Sequence, residues 1–118
     1  MQKVFEVEIE GVKRGFRFNM LALGKACRIE QCDINELFNR LLGSKEDNRQ
    51  PDIVSMMNFF HAAAINYAEG NKQEVDFTAQ DVSDWLDHFG LTQTMEMMTE
   101  GLKTAKSKNQ EAPIDSGQ

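Results

Sequence analysis

The chain has 118 residues, the length of a single domain, and its 41% hydrophobic and 27% charged residues are typical of a globular protein. No stretch approaches the roughly 18 to 20 apolar residues of a membrane span, and Met1–Arg14 lacks the apolar run of a secretory signal, so we expect a cytoplasmic protein. The net charge is -6, with a balance of +2 over residues 1–32 and -8 over residues 33–118. This acidic excess disfavours nucleic acid as a partner and favours a basic peptide or protein.

The first predicted element is a β-hairpin. Apolar and acidic residues alternate from Lys3 to Glu10, and the alternation resumes from Phe16 to Met20 after a turn bounded by Gly11 and Gly15. Because an isolated two-stranded sheet is only marginally stable, we expect helices to cover its apolar face.

Five helices are predicted after the hairpin from their capping residues and their apolar spacing. In chain order they run from Met20 to about Glu30 behind Asn19, from Asp33 to Gly43, from Asp52 to Glu69, from Ala79 to about Phe89 behind Thr78, and from Thr92 to about Ala105. Residues 44–50 include no apolar residue and predict an exposed loop. Val75 and Phe77 alternate with Asp76 and predict a strand-like edge.

The sequence therefore predicts an α+β fold, in which a short N-terminal β-hairpin packs on a bundle of about five helices. Residues 1–105 are expected to form this single domain. Residues 106–118 are polar apart from Ile114 and predict a disordered, flexible tail.

Enzymatic and metal-binding motifs are missing from the sequence, which has no glycine-rich phosphate loop, nucleophile elbow, HExxH motif or EF-hand loop. His61 and His88 are more typical of a partly buried side chain and a surface pair than of catalytic bases. Cys27 and Cys32 predict two reduced, partly buried thiols at a helix end and not a zinc site. We expect no enzymatic activity, no cofactor and no metal.

The layout of these elements resembles the tail assembly chaperones of long-tailed bacteriophages and prophages. The resemblance covers about residues 3–105 and rests on four segments. They are Phe16-Arg17-Phe18-Asn19 directly before a helix, the capped segment Asp33–Phe38, a long helix ending near Asn66-Tyr67-Ala68, and the late helix within Phe77–Asp87.

The resemblance implies a non-enzymatic protein that binds the tape measure protein, helps to recruit tail tube protein, acts in the host cytoplasm and is absent from the mature virion. It also suggests self-association, for which the unpaired edge of the hairpin is available. Many members have a longer form made by ribosomal frameshifting, and Ser107-Lys108-Asn109 is compatible with a slippery run of adenines in the gene.

For the protein-binding surface, residues outside the tightest apolar stripes are predicted: Phe59, Met97 and Tyr67, with Arg14 and Arg17 supplying charge. Phe59→Asp is accordingly expected to weaken client binding without unfolding the domain. The other methionines of these two helices, Met56, Met57, Met95 and Met98, are predicted to lie in the core.

Other classes of function remain open. A virion structural or connector (minor tail) protein has the same size and is the main alternative. A nucleic-acid-binding regulator is disfavoured by the acidic charge, and an enzyme by the missing motifs.

Overall fold

The computed structural model describes the backbone of residues 3–111 and the side chains of residues 3–103. Its elements are the strands β1 (Lys3–Ile9) and β2 (Val12–Phe18) and the helices α1 (Met20–Glu30), α2 (Ile34–Leu42), α3 (Ile53–Gly70), α4 (Ala79–Asp87) and α5 (Gly90–Glu111). The predicted α+β class, with a hairpin and five helices, is confirmed. None of the helices in the described part of the chain is long and apolar enough to cross a membrane.

The hairpin turn is shorter than predicted. Glu10 and Gly11 form a two-residue turn with positive φ angles of 52° and 81°, and β2 already begins at Val12. Positive φ at both central residues is the signature of a type I′ turn, whose twist matches that of the two strands. This turn aligns the strands antiparallel and places Phe5 opposite Phe16.

Helix α3 lies at the centre of the domain and packs mainly against α1 and β2. Its Phe60 ring makes edge contacts with the Phe16 and Phe18 rings at centroid distances of 5.2 and 5.5 Å. Phe59 adds a tilted contact with Phe18 at 5.1 Å. These aromatic rings bury the apolar face of the hairpin, as the marginal stability of an isolated two-stranded sheet requires.

The predicted helix starts are confirmed at three capping residues. The side chains of Asn19 and Asp33 accept hydrogen bonds from the backbone three residues later, at 3.1 and 2.8 Å. Thr78 and Asp81 form a reciprocal capping box. Each of these contacts satisfies a backbone N–H that the first helical turn leaves unpaired.

The region from residue 71 onward departs from the predicted boundaries. No strand forms at Val75–Phe77; Phe77 packs on Trp85 instead, with ring centroids 4.9 Å apart. Helix α4 ends at Asp87, and α5 begins at Gly90 and not at Thr92. Helix α5 also continues past Ala105 to Glu111, and the rest of the predicted tail, 112–118, lies outside the described residues.

Candidate protein-binding surface

Phe59 and Met97, predicted to be exposed, are buried in the core at 0% and 4% exposure. Phe59 is buried because α3 is covered by both α1 and β2, so its buried sector is wider than one stripe. Met97 is buried because the face of α5 that packs on the domain is centred on Met97, Met98 and Leu102, and not on the predicted stripe that included Met95. Met95 is therefore exposed at 40%. The prediction that Phe59 and Met97 form a contact surface is therefore wrong, as is the core position of Met95.

Tyr67 is also buried, and it joins α3 to the hairpin. Its ring lies directly on Gly15, where an added Cβ atom would come within 2.4 Å of Cε1. Its hydroxyl donates a hydrogen bond to Oε2 of Glu6 at 2.7 Å. Burial and this carboxylate raise the pKa of Tyr67 to about 12. Tyr67 is thus a structural contact and not a client-facing side chain.

Arg14 is held within the domain. Its guanidinium lies over the rings of Trp85 and Phe77, at 5.0 and 5.8 Å from their centroids, and donates a hydrogen bond to Asp76 at 2.9 Å. This hydrogen bond lowers the pKa of Asp76. Cation–π contacts of this kind contribute roughly 0.5 to 2 kcal/mol. Because its partners lie in α4 and in the segment before it, Arg14 attaches β2 to this region of the domain.

Arg17 lies beside the end of α3. Its guanidinium occupies the space next to Gly70, and its backbone carbonyl accepts a hydrogen bond from the side chain of Asn66 at 3.0 Å. Together with Glu6 and Tyr67 it lines an open pocket of about 300 Å³ on the outer face of the hairpin. Four of the five residues predicted as a binding surface, Phe59, Met97, Tyr67 and Arg14, thus join the hairpin or α5 to the helical core. Charge supplied to a client by Arg17 stays a prediction.

The most unusual surface belongs to α3. No charged residue occurs from Ile53 to Ala68, although part of this helix faces outward. Within this run Ile53 and Val54 are exposed and Asn58 is partly buried. Four residues that are exposed or partly buried recur at spacings of three and four: Val54, Met57, His61 and Ile65. These four residues, named here the α3 stripe, occupy one helical face over roughly 16 Å. Val54 is exposed and the other three are partly buried, so the stripe is an uncharged, partly accessible face, and such a face is a candidate contact site.

The α3 stripe is least covered at its N-terminal end. Val54 is 67% exposed, and Ile53 beside it is also exposed. The end of α2 lies next to the start of α3, since the backbone N–H of Asp52 donates a hydrogen bond to the carbonyl of Arg40 at 2.7 Å. This contact brings Leu42, another exposed apolar residue, near the stripe. The stripe therefore begins in a wider apolar area at the α2–α3 junction.

His61 does not add charge to the stripe at neutral pH. Burial lowers the pKa of its imidazole below the ordinary value of 6.5. Its ring makes an edge contact with Phe77 at 6.2 Å. His61 therefore lies in the stripe as a neutral, partly buried ring, in agreement with the sequence-based interpretation.

The two thiols lie at the end of α1, as predicted. Cys27 and Cys32 are free and partly buried, and the N–H of Cys32 donates to the carbonyl of Cys27 at 3.1 Å. Burial raises the pKa of both thiols, which disfavours the reactive thiolate. Within residues 3–103, no group of three or more His, Cys, Asp or Glu side chains is placed to hold a metal ion.

Sequence reasoning missed the α3 stripe, although the signal was available. The run without charge from Ile53 to Ala68 predicts a helix that is covered on every side, whereas the described neighbours cover only part of it. Comparison with models of known protein families, with curated proteins and with solved structures found no significant match.

Proposed function

We propose that this protein is a non-enzymatic tail assembly chaperone of a long-tailed bacteriophage or prophage, which binds the tape measure protein in the host cytoplasm and assists assembly of the tail tube. The observation that carries the proposal is the α3 stripe, an uncharged face on the central helix that is exposed at Val54 and partly accessible beyond it. The layout of the elements, which resembles that family, supports the same function.

The geometry of the stripe suits an amphipathic helix as the client. Val54, His61 and Ile65 recur at intervals of seven and four residues, so a helix lying along α3 can insert its own apolar side chains between them. A long helical protein exposes such apolar faces before it assembles. Covering them prevents self-association, and the net charge of -6 keeps the complex soluble.

Two matched variants test this surface. Val54 and Leu91 are each the second residue of a helix, α3 and α5, and are 67% and 59% exposed. Neither belongs to the core, and aspartate is tolerated in the first turn of a helix, so Val54→Asp and Leu91→Asp should both keep the wild-type melting temperature. Val54→Asp should weaken client binding by at least about tenfold, because it buries a charge in an apolar contact, whereas Leu91→Asp should not.

The client for this experiment is the tape measure protein encoded in the same genome, divided into overlapping helical segments. Binding is measured by calorimetry, and client solubility by co-expression. Equal binding by wild type and Val54→Asp, or equal loss with both variants, would contradict the proposed surface.

Two further observations address the function itself. A very long helical reading frame should lie immediately downstream of the gene and a tail tube gene upstream. Mass spectrometry of purified particles should not detect the protein; finding it there in stoichiometric amount would favour a virion connector and overturn the chaperone function.

A further inference from the structure

Strand β1 has one edge that the described part of the chain leaves unpaired. Among the described residues the sheet has two strands; α3 packs against β2, and α5 contacts both strands. Within residues 3–111, no backbone hydrogen bond joins Lys3–Ile9 to any partner other than β2. A strand of seven residues with an open edge is a template for another strand.

The hairpin geometry determines which groups point to this edge. In a two-residue turn, Ile9 and Val12 form a hydrogen-bonded pair, and such pairs alternate with non-hydrogen-bonded pairs along the ladder. The alternation makes Val4, Glu6 and Glu8 the residues whose N–H and C=O groups point away from β2. By the same rule, the backbone N–H and C=O groups of Arg17, which is opposite Val4, point away from β1. In agreement, the Arg17 carbonyl accepts a hydrogen bond from the side chain of Asn66 in α3.

The side chains on this strand specify what fits beside it. Glu6 and Glu8 lie on the outer face of the hairpin and are exposed. Phe5, Val7 and Ile9 lie on the opposite face and are only partly buried. An added strand would therefore place one set of its side chains next to two carboxylates and the other set next to apolar groups.

Strand β2 already satisfies this pattern on the paired edge of β1. Its residues Lys13 and Arg17 lie on the outer face, and Lys13 Nζ is 3.8 Å from Glu6 Oε1. Its residues Phe16 and Phe18 lie on the core face and are fully buried. Arg14, opposite Val7, is the one basic residue on its core face, and Gly15 lies on its outer face. On its paired edge β1 therefore accepts basic residues next to its carboxylates and mainly apolar residues on the core face.

A second copy of β1 does not have this chemistry. In a two-fold symmetric antiparallel pair centred on Glu6, the two Glu6 side chains would face each other and each Glu8 would lie diagonally across from them. Like charges directly opposite each other destabilise a strand pair. The charge pattern therefore disfavours pairing between copies of this chain in the register centred on Glu6.

We propose that the free edge of β1 binds an extended peptide segment, in which basic and apolar residues alternate, as an added antiparallel strand. The basic residues lie next to Glu6 and Glu8, and the apolar residues extend the face formed by Phe5 and Val7. The backbone groups of Val4, Glu6 and Glu8 supply the hydrogen bonds. This site is separate from the α3 stripe and does not depend on the proposed chaperone function.

The probe is an acetylated, amidated and fluorescently labelled peptide with the sequence of residues 12–18, and the control peptide carries glutamate at its three basic positions. Fluorescence anisotropy with the full chain should show binding of the first peptide, weakened by salt, and no binding of the second. Failure of the basic peptide to bind, or equal binding of both peptides, would overturn the proposal.

Two variants at one position separate charge from backbone pairing. Glu8→Gln removes only the carboxylate and should weaken binding about two- to fivefold. Glu8→Pro also removes an N–H that points to the free edge, and it removes no hydrogen bond from the hairpin, so it should weaken binding by at least about tenfold. Equal binding by Glu8→Pro and Glu8→Gln would overturn strand addition.

Hydrogen exchange of the wild-type protein provides a measurement that does not depend on the folding of any variant. Peptide binding should slow exchange of the backbone amides of Val4, Glu6 and Glu8 selectively. Slower exchange confined to α3 would contradict the β1 site. Val54→Asp should bind the peptide with wild-type affinity, which separates this test from that of the chaperone surface.

Discussion

Gly101 of α5 lies directly against the ring of Phe18, where an added Cβ atom would come within 2.5 Å of Cγ. This close approach brings α5 onto the hairpin and buries Met97, Met98 and Leu102 around it. Gly24, in the middle of α1, has the opposite surroundings, since a Cβ atom there would meet nothing within 4 Å. The two helical glycines therefore have different physical reasons for their presence.

Alanine substitutions at these glycines should have effects of opposite sign. Gly101→Ala forces α5 away from a buried ring and should destabilise the protein by about 1 to 3 kcal/mol despite the better helix propensity of alanine. Gly24→Ala has space for its methyl group and should stabilise the protein by about 0.5 to 1 kcal/mol. Urea unfolding followed by circular dichroism measures both. Stabilisation by Gly101→Ala would show that α5 does not approach Phe18 this closely.

Phe59→Asp, first expected to leave the domain folded, should instead unfold it, because the side chain is fully buried against Phe18. The milder change Phe59→Ala should cost about 3 to 5 kcal/mol. Val54→Ala, on the exposed side of the same helix, is the control and should change stability by less than about 0.5 kcal/mol. A folded Phe59→Asp protein with a normal melting temperature would contradict the packing of α3 on β2.

Glu30 at the end of α1 connects three elements through a nearly buried carboxylate. It forms an ion pair with Arg40 at 2.9 Å and accepts hydrogen bonds from Ser55, at 2.8 Å, and from Asn58. Glu30→Ala leaves these polar groups without their partner and should destabilise the protein by about 3 kcal/mol. Glu69→Ala removes a more exposed ion pair with Lys25 and should cost less than about 1 kcal/mol. Similar losses from the two variants would argue against a buried Glu30.

Glu36 should make stability depend on pH in the acidic range. Hydrogen bonds from Arg49 and Arg40 lower the pKa of its carboxyl from 4.5 to about 2. Because the pKa is lower in the folded state, its stabilising contribution is present above about pH 4.5 and is lost as the pH falls towards 2. Glu30 contributes in the same direction: burial would raise its pKa, but the hydrogen bonds from Asn58, Ser55 and Arg40 outweigh burial and lower it.

Melting temperatures recorded between pH 7 and pH 2 measure this dependence. Glu36→Gln should reduce the decrease between pH 4.5 and 2, and 0.5 M salt should reduce it in the wild type. Glu46→Gln changes the net charge equally in the adjacent loop while keeping both arginine contacts, so it is the control. An unchanged acid transition in Glu36→Gln would show that the Arg40 and Arg49 contacts do not persist in solution.

The helix starts could be predicted because each depends on residues three positions apart. Asn19, Asp33 and Thr78 accept hydrogen bonds from backbone groups of the turn that immediately follows. Such contacts involve only residues within one helical turn, so the sequence shows directly where they are favoured. The hairpin and the order of helices were predictable for the same reason, since hydrophobic periodicity is also local.

The candidate site could not be predicted in the same way. Whether Phe59 and Val54 are buried depends on which neighbours surround α3, and a periodic pattern records only that a helix has an apolar side. Arg14 was predicted to be surface charge, but its partners Asp76 and Trp85 lie more than 60 positions away in the chain.

The sequence by itself thus determined the elements, their caps and their order, because these depend on interactions within a few residues. Only the tertiary structure decided which apolar side chains remain accessible on α3 and which edge of the hairpin stays open. Both outcomes depend on contacts between segments far apart in the chain, whose geometry no local pattern encodes.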